Sequence, residues 1–301
     1  MSNAHGKFIL MGEHAVVYGH PAIAVPLNEA KIVIHTIEFD RNMIESDFYQ
    51  GDITSLPEAF ESIQTLFFSL QKDLELPNLK LIIEVNTIIG AGLGASATFA
   101  AALTRAMFQH NQTTLTENQL LSYIDLSENI SHGKASGIDA RAAISSQNFI
   151  YENGTIKPFP FTLDAYVIVV FTNVVGHTKK AVSKVKYMVD HDEKGVQLIE
   201  TLAQYTNQAI QAIKQHDLIK LGHLMSLSHQ SLKKLGVSHE SLNTLVDLAI
   251  ENGSYGAKLT GGGLGGCMIA LCNQEVTYKI KAVVEEMGYK KTFIKYLGDK
   301  S

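Results

Sequence analysis

No apolar run in this 301-residue chain approaches the roughly 18–20 residues that a membrane-spanning helix needs. No basic segment followed by an apolar one opens it, which argues against secretion. It has no block of Lys and Arg interleaved with aromatics, and its formal net charge is −5. Nucleic acid is therefore a poor partner. Cysteine is scarce. Cys267 and Cys272 lack the paired spacing of a zinc site, and two thiols without an export signal fit a reducing cytoplasm. Neither an internal repeat nor a low-complexity linker is visible. Two familiar phosphate-handling signatures are also missing. Gly133-Lys134 is followed by Ala135, not Ser or Thr, and has no glycine at the earlier position of a Walker A loop. The H-R-D and D-F-G motifs of protein kinases are absent.

What is present is a globular composition, 46% hydrophobic and 18% charged, in a chain long enough to favour two domains. Residues 5–14 open with a strand, and residues 22–25 and 31–37 read as further strands. Apolar residues at helical spacing mark residues 57–74. Thr116 and Gln119 form a capping pattern, with Leu115 and Leu120 as its staple, for a helix running to about His132. Another short helix starts near Ser136 and ends near Ser146. Residues 149–156 form a hairpin around Asn153-Gly154. A second pattern begins near residue 165. It comprises a buried strand at 166–171, helices at about 178–190, 194–214, 216–234 and 238–252, a strand pair around 261–266, a helix at about 275–287 and a last strand at 292–296. The expectation is an α+β protein in two parts, residues 1–160 and 161–301.

The chain is organised around residues 87–98. A strand-like run at 79–85 leads in, and small apolar residues from Ala95 lead out as a helix. Between them lie Gly90, Gly92 and Gly94. Such a loop bends sharply and ends at a helix N-terminus, where free N–H groups and the dipole favour an anion. The phosphate owner stays open at this level. Gly90-x-Gly92-x-x-Ala95 also fits the relaxed dinucleotide fingerprint, with Glu117 at a suitable distance, although no regular βαβ alternation surrounds it.

Other candidates each have two readings. Ser96 is a serine at a helix start, or a hydroxyl facing phosphate and metal. Glu128 shares a helix face with Leu121 and Ile124. It is either a rim residue or an inward carboxylate that needs a partner or a cation, and Mg²⁺ favours one or two carboxylates with phosphates and water. Asp139 belongs to a capping-box pattern with Ser136, yet its neighbours Ala135, Gly137, Ala140, Ala142 and Ala143 are small enough to admit a ligand. Lys7 reads as a solvated strand-end lysine, and Glu13-His14 as an ordinary loop pair. Gly261, Gly262, Gly263, Gly265 and Gly266 make sense if backbone approaches a ligand or the first glycine loop, though a structural turn is the alternative.

Taken together, residues 6–24, 90–97 and 258–266, with the segment 132–139 between, resemble the GHMP kinase superfamily. The Gly12-Glu13-His14-Ala15-Val16-Val17-Tyr18-Gly19 reading points to its mevalonate kinase branch. Galactokinases continue differently after G-E-H, and phosphomevalonate kinases typically carry G-E-Y. The resemblance implies a two-domain fold, with an N-terminal ribosomal S5-like domain and a C-terminal ferredoxin-like domain. It implies ATP- and Mg²⁺-dependent phosphorylation of the mevalonate C5 hydroxyl, with another small-molecule kinase of the superfamily as the alternative, and it leaves a homodimer open. It also implies roles. Gly90, Ala91, Gly92, Leu93, Gly94, Ala95 and Ser96 wrap the ATP phosphates. Ser96 and Glu128 hold Mg²⁺. Asp139 faces the C5 hydroxyl, with Lys7 close by to neutralise charge on the transferring group. Glu13, His14, Ser136 and Thr178 lie on the substrate side. Three positions depart from the family pattern. Ala95 replaces a serine, Ala135 replaces a proline, and Ile89 stands where proline is common.

Overall fold

The apolar runs at 22–25 and 31–37 form one strand, β2 (Ala22–Glu38), instead of two. It changes partner along its length. Ala22–Ala24 pair antiparallel with Tyr151–Phe149, and Lys31–Glu38 pair antiparallel with Asn86–Leu79. Pro26, which has no N–H to donate, falls between these two ladders. The computed structural model describes residues 2–132 and 137–298. The chain divides into two compact units, neither continuous in sequence. The first holds Met1–Lys7, Leu27–Thr87 and Gly94–Ser145; the second holds Phe8–Pro26, Ile88–Leu93 and Ser146–Ser301. The first strand, β1 (Ser2–Met11), pairs with β2.

In the first unit, β2 is followed by β3 (Met43–Ser46), β4 (Gln50–Asp52), α1 (Glu61–Asp73) and β5 (Leu79–Asn86). The order across this sheet is β4-β3-β5-β2. The β3–β4 hairpin has no counterpart in the sequence reading. Only Ile44 of β3 is buried, so no alternation announces it. Its turn is fixed by Ser46, whose hydroxyl donates to the Tyr49 carbonyl and accepts from the Tyr49 N–H. The helix expected from residue 57 begins at Glu61, after one 3₁₀ turn next to Pro57.

Three helices complete this unit: α2 (Ala95–His110), α3 (Glu117–His132) and α4 (Ile138–Ile144). The Thr116 N–H donates to Gln119 Oε1 at 3.0 Å, and the Gln119 N–H donates to Thr116 Oγ1 at 3.3 Å. That reciprocal pair is the capping box expected from sequence. Alanines of α2 pack with Leu66, Phe67 and Leu70 of α1 and Leu120, Leu121 and Ile124 of α3 in one core. Small side chains let α2 sit close to its neighbours, and each large apolar residue buried here stabilises by about 1.5–3 kcal/mol. β5 leads into the glycine loop with β3 parallel on one side and β2 antiparallel on the other. A doubly wound parallel sheet does not surround the loop, which removes the dinucleotide-fold reading.

The second unit contains the hairpin of β6 (Phe149–Glu152) and β7 (Thr155–Pro158). Asn153 and Gly154 both have positive φ at its turn, as a two-residue I′ hairpin requires. A four-stranded antiparallel sheet follows, in the order β11-β8-β10-β9. Its strands are β8 (Tyr166–Phe171), β9 (Gly256–Thr260), β10 (Cys267–Cys272) and β11 (Thr292–Tyr296). The Val167–Val170 stretch of β8 and the whole of β9 and β10 are buried, which explains their continuous apolar runs. Five helices contribute to the core that includes this sheet: α5 (Thr178–His191), α6 (Glu193–Lys214), α7 (Leu218–Lys234), α8 (Glu240–Glu251) and α9 (Gln274–Glu286). Of these, α7 and α8 pack on β9, and α9 on β8 and β10. The strand pair expected around residues 261–266 is β9 and β10, with the glycine-rich segment as their connection.

Candidate active site

The loop before α2 has two sides. Ala91, Leu93 and Ala95 are buried, while Gly90, Gly92, Gly94 and Ser96 are partly exposed. Gly90, Gly92 and Gly94 have φ of 77°, 79° and 75°. Left-handed glycines alternating with ordinary residues form the kind of turn that collects N–H groups into a nest for an anion. Gly94 flanks the first residue of α2, and no side chain caps that helix. The free N–H groups of its first turn are thus left for a ligand.

In the first unit, two charged groups border the end of this loop. Lys7 Nζ lies 3.0 Å from Asp139 Oδ1. A Cβ placed on Gly94 would be 3.5 Å from Asp139 Oδ1 and 3.7 Å from Lys7 Cε. Lys7 is buried, at 4% exposure, and the Asp139 side chain keeps 35%. Lys7 is therefore no solvated strand-end lysine. Asp139 occupies the first turn of α4, whose flanking residue is Gly137, with φ of 79° and no side-chain cap. Its carboxylate is engaged by an ammonium and still has a path to a ligand. Glu128 is 3% exposed, so it is not a rim residue. It follows Ile124 on the face of α3 that packs in the core with α2. Among the described residues no group of three or more His, Cys, Asp or Glu could hold a metal on its own. A carboxylate and a hydroxyl are a donor set suited to an ion that arrives with phosphates and water.

In the second unit, the two glycine-rich segments meet. A Cβ on Gly261 would fall 3.0 Å from the Gly92 carbonyl oxygen, and one on Gly266 would fall 2.9 Å from that of Ala91. The Gly176 N–H donates to the Gly90 carbonyl at 2.8 Å. The late glycines thus let the β9–β10 connection lie directly against the first loop. Thr178 is exposed at the start of α5, and Gly262 comes so close that a Cβ there would be 2.7 Å from Thr178 Oγ1.

The Glu13-His14 pair is not the ordinary loop pair its sequence suggests. Both are buried. The Glu13 carboxylate is ion-paired with Lys258 Nζ, and that ammonium also donates to the Leu259 carbonyl at 2.8 Å. His14 Nε2 donates to the Gly262 carbonyl at 2.9 Å, since a carbonyl can only accept. Burial lowers the His14 pKa to about 4. The Gly262 carbonyl opposes that shift, and the Lys258 charge adds to it. His14 is accordingly neutral near pH 7, with Nδ1 left as an acceptor. Burial likewise pushes the Lys258 pKa down, with Glu13 holding it up.

The family resemblance implied that Lys7 and Asp139 lie close together, and the residues alone suggested that the two glycine segments could meet. Sequence reasoning missed Lys258 and Thr260, although both stand in a quoted motif. Their partners lie about 250 residues earlier, and no spacing rule covers such a distance. Ser136 and Ala135 lie outside the described residues.

With this geometry in hand, the comparisons with known proteins are specific. Residues 60–147 match the family model described as the GHMP kinases N terminal domain, and residues 209–290 match that described as GHMP kinases C terminal. The chain is 31% identical to the mevalonate kinase of Pyrococcus horikoshii, over 93% of this chain and 92% of that one. A crystal structure of L. major mevalonate kinase in complex with R-mevalonate superposes with a TM-score of 0.80 at 26% identity, covering 97% of this chain and 95% of that chain. The mevalonate kinase of methicillin-resistant Staphylococcus aureus MRSA252 gives a TM-score of 0.74 at 32% identity, over 99% and 98%.

Proposed function

Because this chain belongs to the GHMP kinase family, we propose that it phosphorylates the C5 hydroxyl of mevalonate with ATP, giving 5-phosphomevalonate for isoprenoid precursor synthesis. It has the fold of that family, with N- and C-terminal GHMP kinase domains. We place their boundary near residue 160, a division supported by the two family matches falling on either side of it. The observation that carries the reaction is the Lys7–Asp139 pair beside Gly94, at the uncapped start of α2.

Phosphoryl transfer needs little covalent help from the protein. Positioning and charge neutralisation do most of the work. In this reading the backbone N–H groups of residues 90–96 cradle the ATP phosphates. Ser96 and Glu128 would hold the Mg²⁺ that enters with the nucleotide as part of the substrate, and the ion would supply neutralisation of phosphate charge. Asp139 accepts a hydrogen bond from the substrate hydroxyl and takes its proton as the new O–P bond forms and the bond from the γ-phosphorus to the bridging oxygen breaks, that oxygen leaving with ADP. Lys7 stays buried against Asp139, fixes the carboxylate, and offsets negative charge on the group in flight. Glu13, His14, Ser136 and Thr178 belong to the substrate side. Of these, His14 supplies a neutral ring, and Glu13 acts through its ion pair.

An ADP-release assay with a panel of alcohols tests the reading. Mevalonate should give the highest kcat/KM, and clearly higher turnover of phosphomevalonate or galactose would refute it. The similar chains described above, all mevalonate kinases, support mevalonate over those alternatives. Glu128→Gln should raise the Mg²⁺ concentration needed for half-maximal rate while leaving the KM for mevalonate nearly unchanged. An unaltered Mg²⁺ dependence would remove Glu128 from the metal. A cytoplasmic setting is part of the same proposal, supported by two buried cysteines, Cys267 and Cys272, that form no disulfide. Light scattering on the purified protein distinguishes a monomer from a homodimer.

A further inference from the structure

We propose that Lys258 is the positioning residue of the Glu13-His14 turn, holding both side chains in the arrangement the substrate meets. The identity of that substrate rests on the function proposed above; the geometry does not. Side chains at alternate strand positions point to the same face. At the end of β9, three alternate residues each grip the segment 9–14. Lys258 pairs with the Glu13 carboxylate. Thr260 Oγ1 accepts from the Ile9 N–H at 2.9 Å and donates to the Ile9 carbonyl at 3.0 Å. The Gly262 carbonyl accepts from His14 Nε2 at 2.9 Å. Of the three, only Lys258 brings a charge, and it is fully buried.

The turn needs such an anchor. Gly12 has φ of 103° and His14 has φ of 61°. A non-glycine residue in the left-handed region persists only where its surroundings over-determine it. Glu13, between them, reaches away to Lys258. The strand that carries Lys258 is itself held from the other side. The Leu259 N–H donates to His229 Nδ1 at 3.3 Å, so the His229 proton sits on Nε2, which donates to Asn243 Oδ1 at 3.1 Å. α7 and α8 thereby fix β9, and β9 fixes the turn.

The charge matters as much as the position. Mevalonate is an anion at neutral pH, and an unneutralised Glu13 carboxylate near it would repel it. Lys258 removes that repulsion and keeps a positive charge close to His14, which helps hold the ring neutral. A lysine that merely filled the core would have none of these effects on substrate.

Steady-state kinetics of Lys258→Met, Lys258→Ala and the double variant Lys258→Met/Glu13→Gln test the proposal. Lys258→Met should raise the KM for mevalonate by about tenfold or more while the KM for ATP stays within about twofold, the loss expected of a buried charged hydrogen bond. Lys258→Ala should regain mevalonate affinity when ethylammonium or propylammonium is added, and not with propanol. The double variant removes both charges of the buried pair together, so it should fold even if the single variants do not, and its KM for mevalonate should remain raised. A double variant that folds with the wild-type KM for mevalonate would overturn the proposal. So would equal rises in both KM values without alkylammonium rescue. If the wild-type protein turns over a different alcohol instead of mevalonate, the substrate reading fails, and the same comparison on that alcohol decides the role of Lys258.

Discussion

Of the lysine–carboxylate pairs in this protein, Lys7–Asp139 and Lys258–Glu13 share their chemistry and differ in setting. In Lys7–Asp139 the carboxylate keeps a third of its side-chain surface open. In Lys258–Glu13 both partners are buried, at 0% and 2% exposure. An ion pair with an open carboxylate can exchange water for substrate and act on it. A closed one cannot, and its contribution is geometric. Removing one partner from a buried pair leaves a charge with nowhere to go, whereas an open partner is rescued by solvent. The same two residue types therefore carry chemistry in one place and architecture in the other, and burial decides which.

The strongest way to break this contrast is Asp139→Asn. The amide keeps the shape and loses the base, so kcat should fall by about 10²–10⁴-fold. ATP affinity, measured by nucleotide titration, and the thermal midpoint should hardly move. A variant with near wild-type kcat would return Asp139 to a structural role at the start of α4.

The pair of variants Lys7→Met and Lys258→Met sharpens the contrast in stability. Lys258→Met removes the ammonium from the buried Glu13 carboxylate and should cost about 3–5 kcal/mol in urea unfolding. Lys7→Met leaves Asp139 in reach of water and should cost no more than about 1 kcal/mol, while abolishing most activity. Equal losses would mean that exposure does not separate the two pairs.

Acid weakens the buried region by a further route. His14 and His229 both have pKa values lowered to about 4, chiefly by burial, against about 6.5 in an unfolded chain. Above pH ~6.5 both states hold these rings neutral. Below it the unfolded chain binds protons that the folded one refuses, so stability is lost as pH falls towards 4, at up to roughly 1.4 kcal/mol per pH unit for each ring. Urea denaturation at pH 7.5, 6 and 5 should show that decline, and His229→Gln should remove about half of it. A flat profile would mean that the rings titrate normally in the folded protein.

How much of this was legible beforehand depends on the reach of each signal. β8 and β11 matched their expected limits, because a fully apolar or evenly patterned run states its own ends. β2 reads in sequence as two separate apolar runs, and only the change of partner from β6 to β5 explains how one strand carries both with Pro26 inside it. The β3–β4 hairpin was silent because one buried residue makes no pattern. At the site, the glycine loop stood out as a motif, whereas Asp139 and Glu128 each kept two readings in sequence, and burial decides for Glu128 against a rim position. Lys258 did not stand out. A buried lysine and a solvated strand-end lysine look alike in sequence, and only the fold brings Glu13 to it across 245 residues.

The smallest expected effect concerns Ala95, where the family pattern has serine. A serine there could give phosphate a side-chain contact that alanine does not. The loop geometry reduces that difference, because residue 95 belongs with Ala91 and Leu93 on the buried side, at 8% exposure. The glycines and Ser96 hold the accessible side. A serine hydroxyl at 95 would start from a nearly closed position and would need a partner there, at a cost of about 1 kcal/mol if it found none. Ala95→Ser should therefore change the KM for ATP by no more than about threefold and lower stability slightly. A tenfold gain in ATP affinity would show that the hydroxyl reaches the phosphates, and that side-chain donors share a task which backbone N–H groups otherwise perform alone.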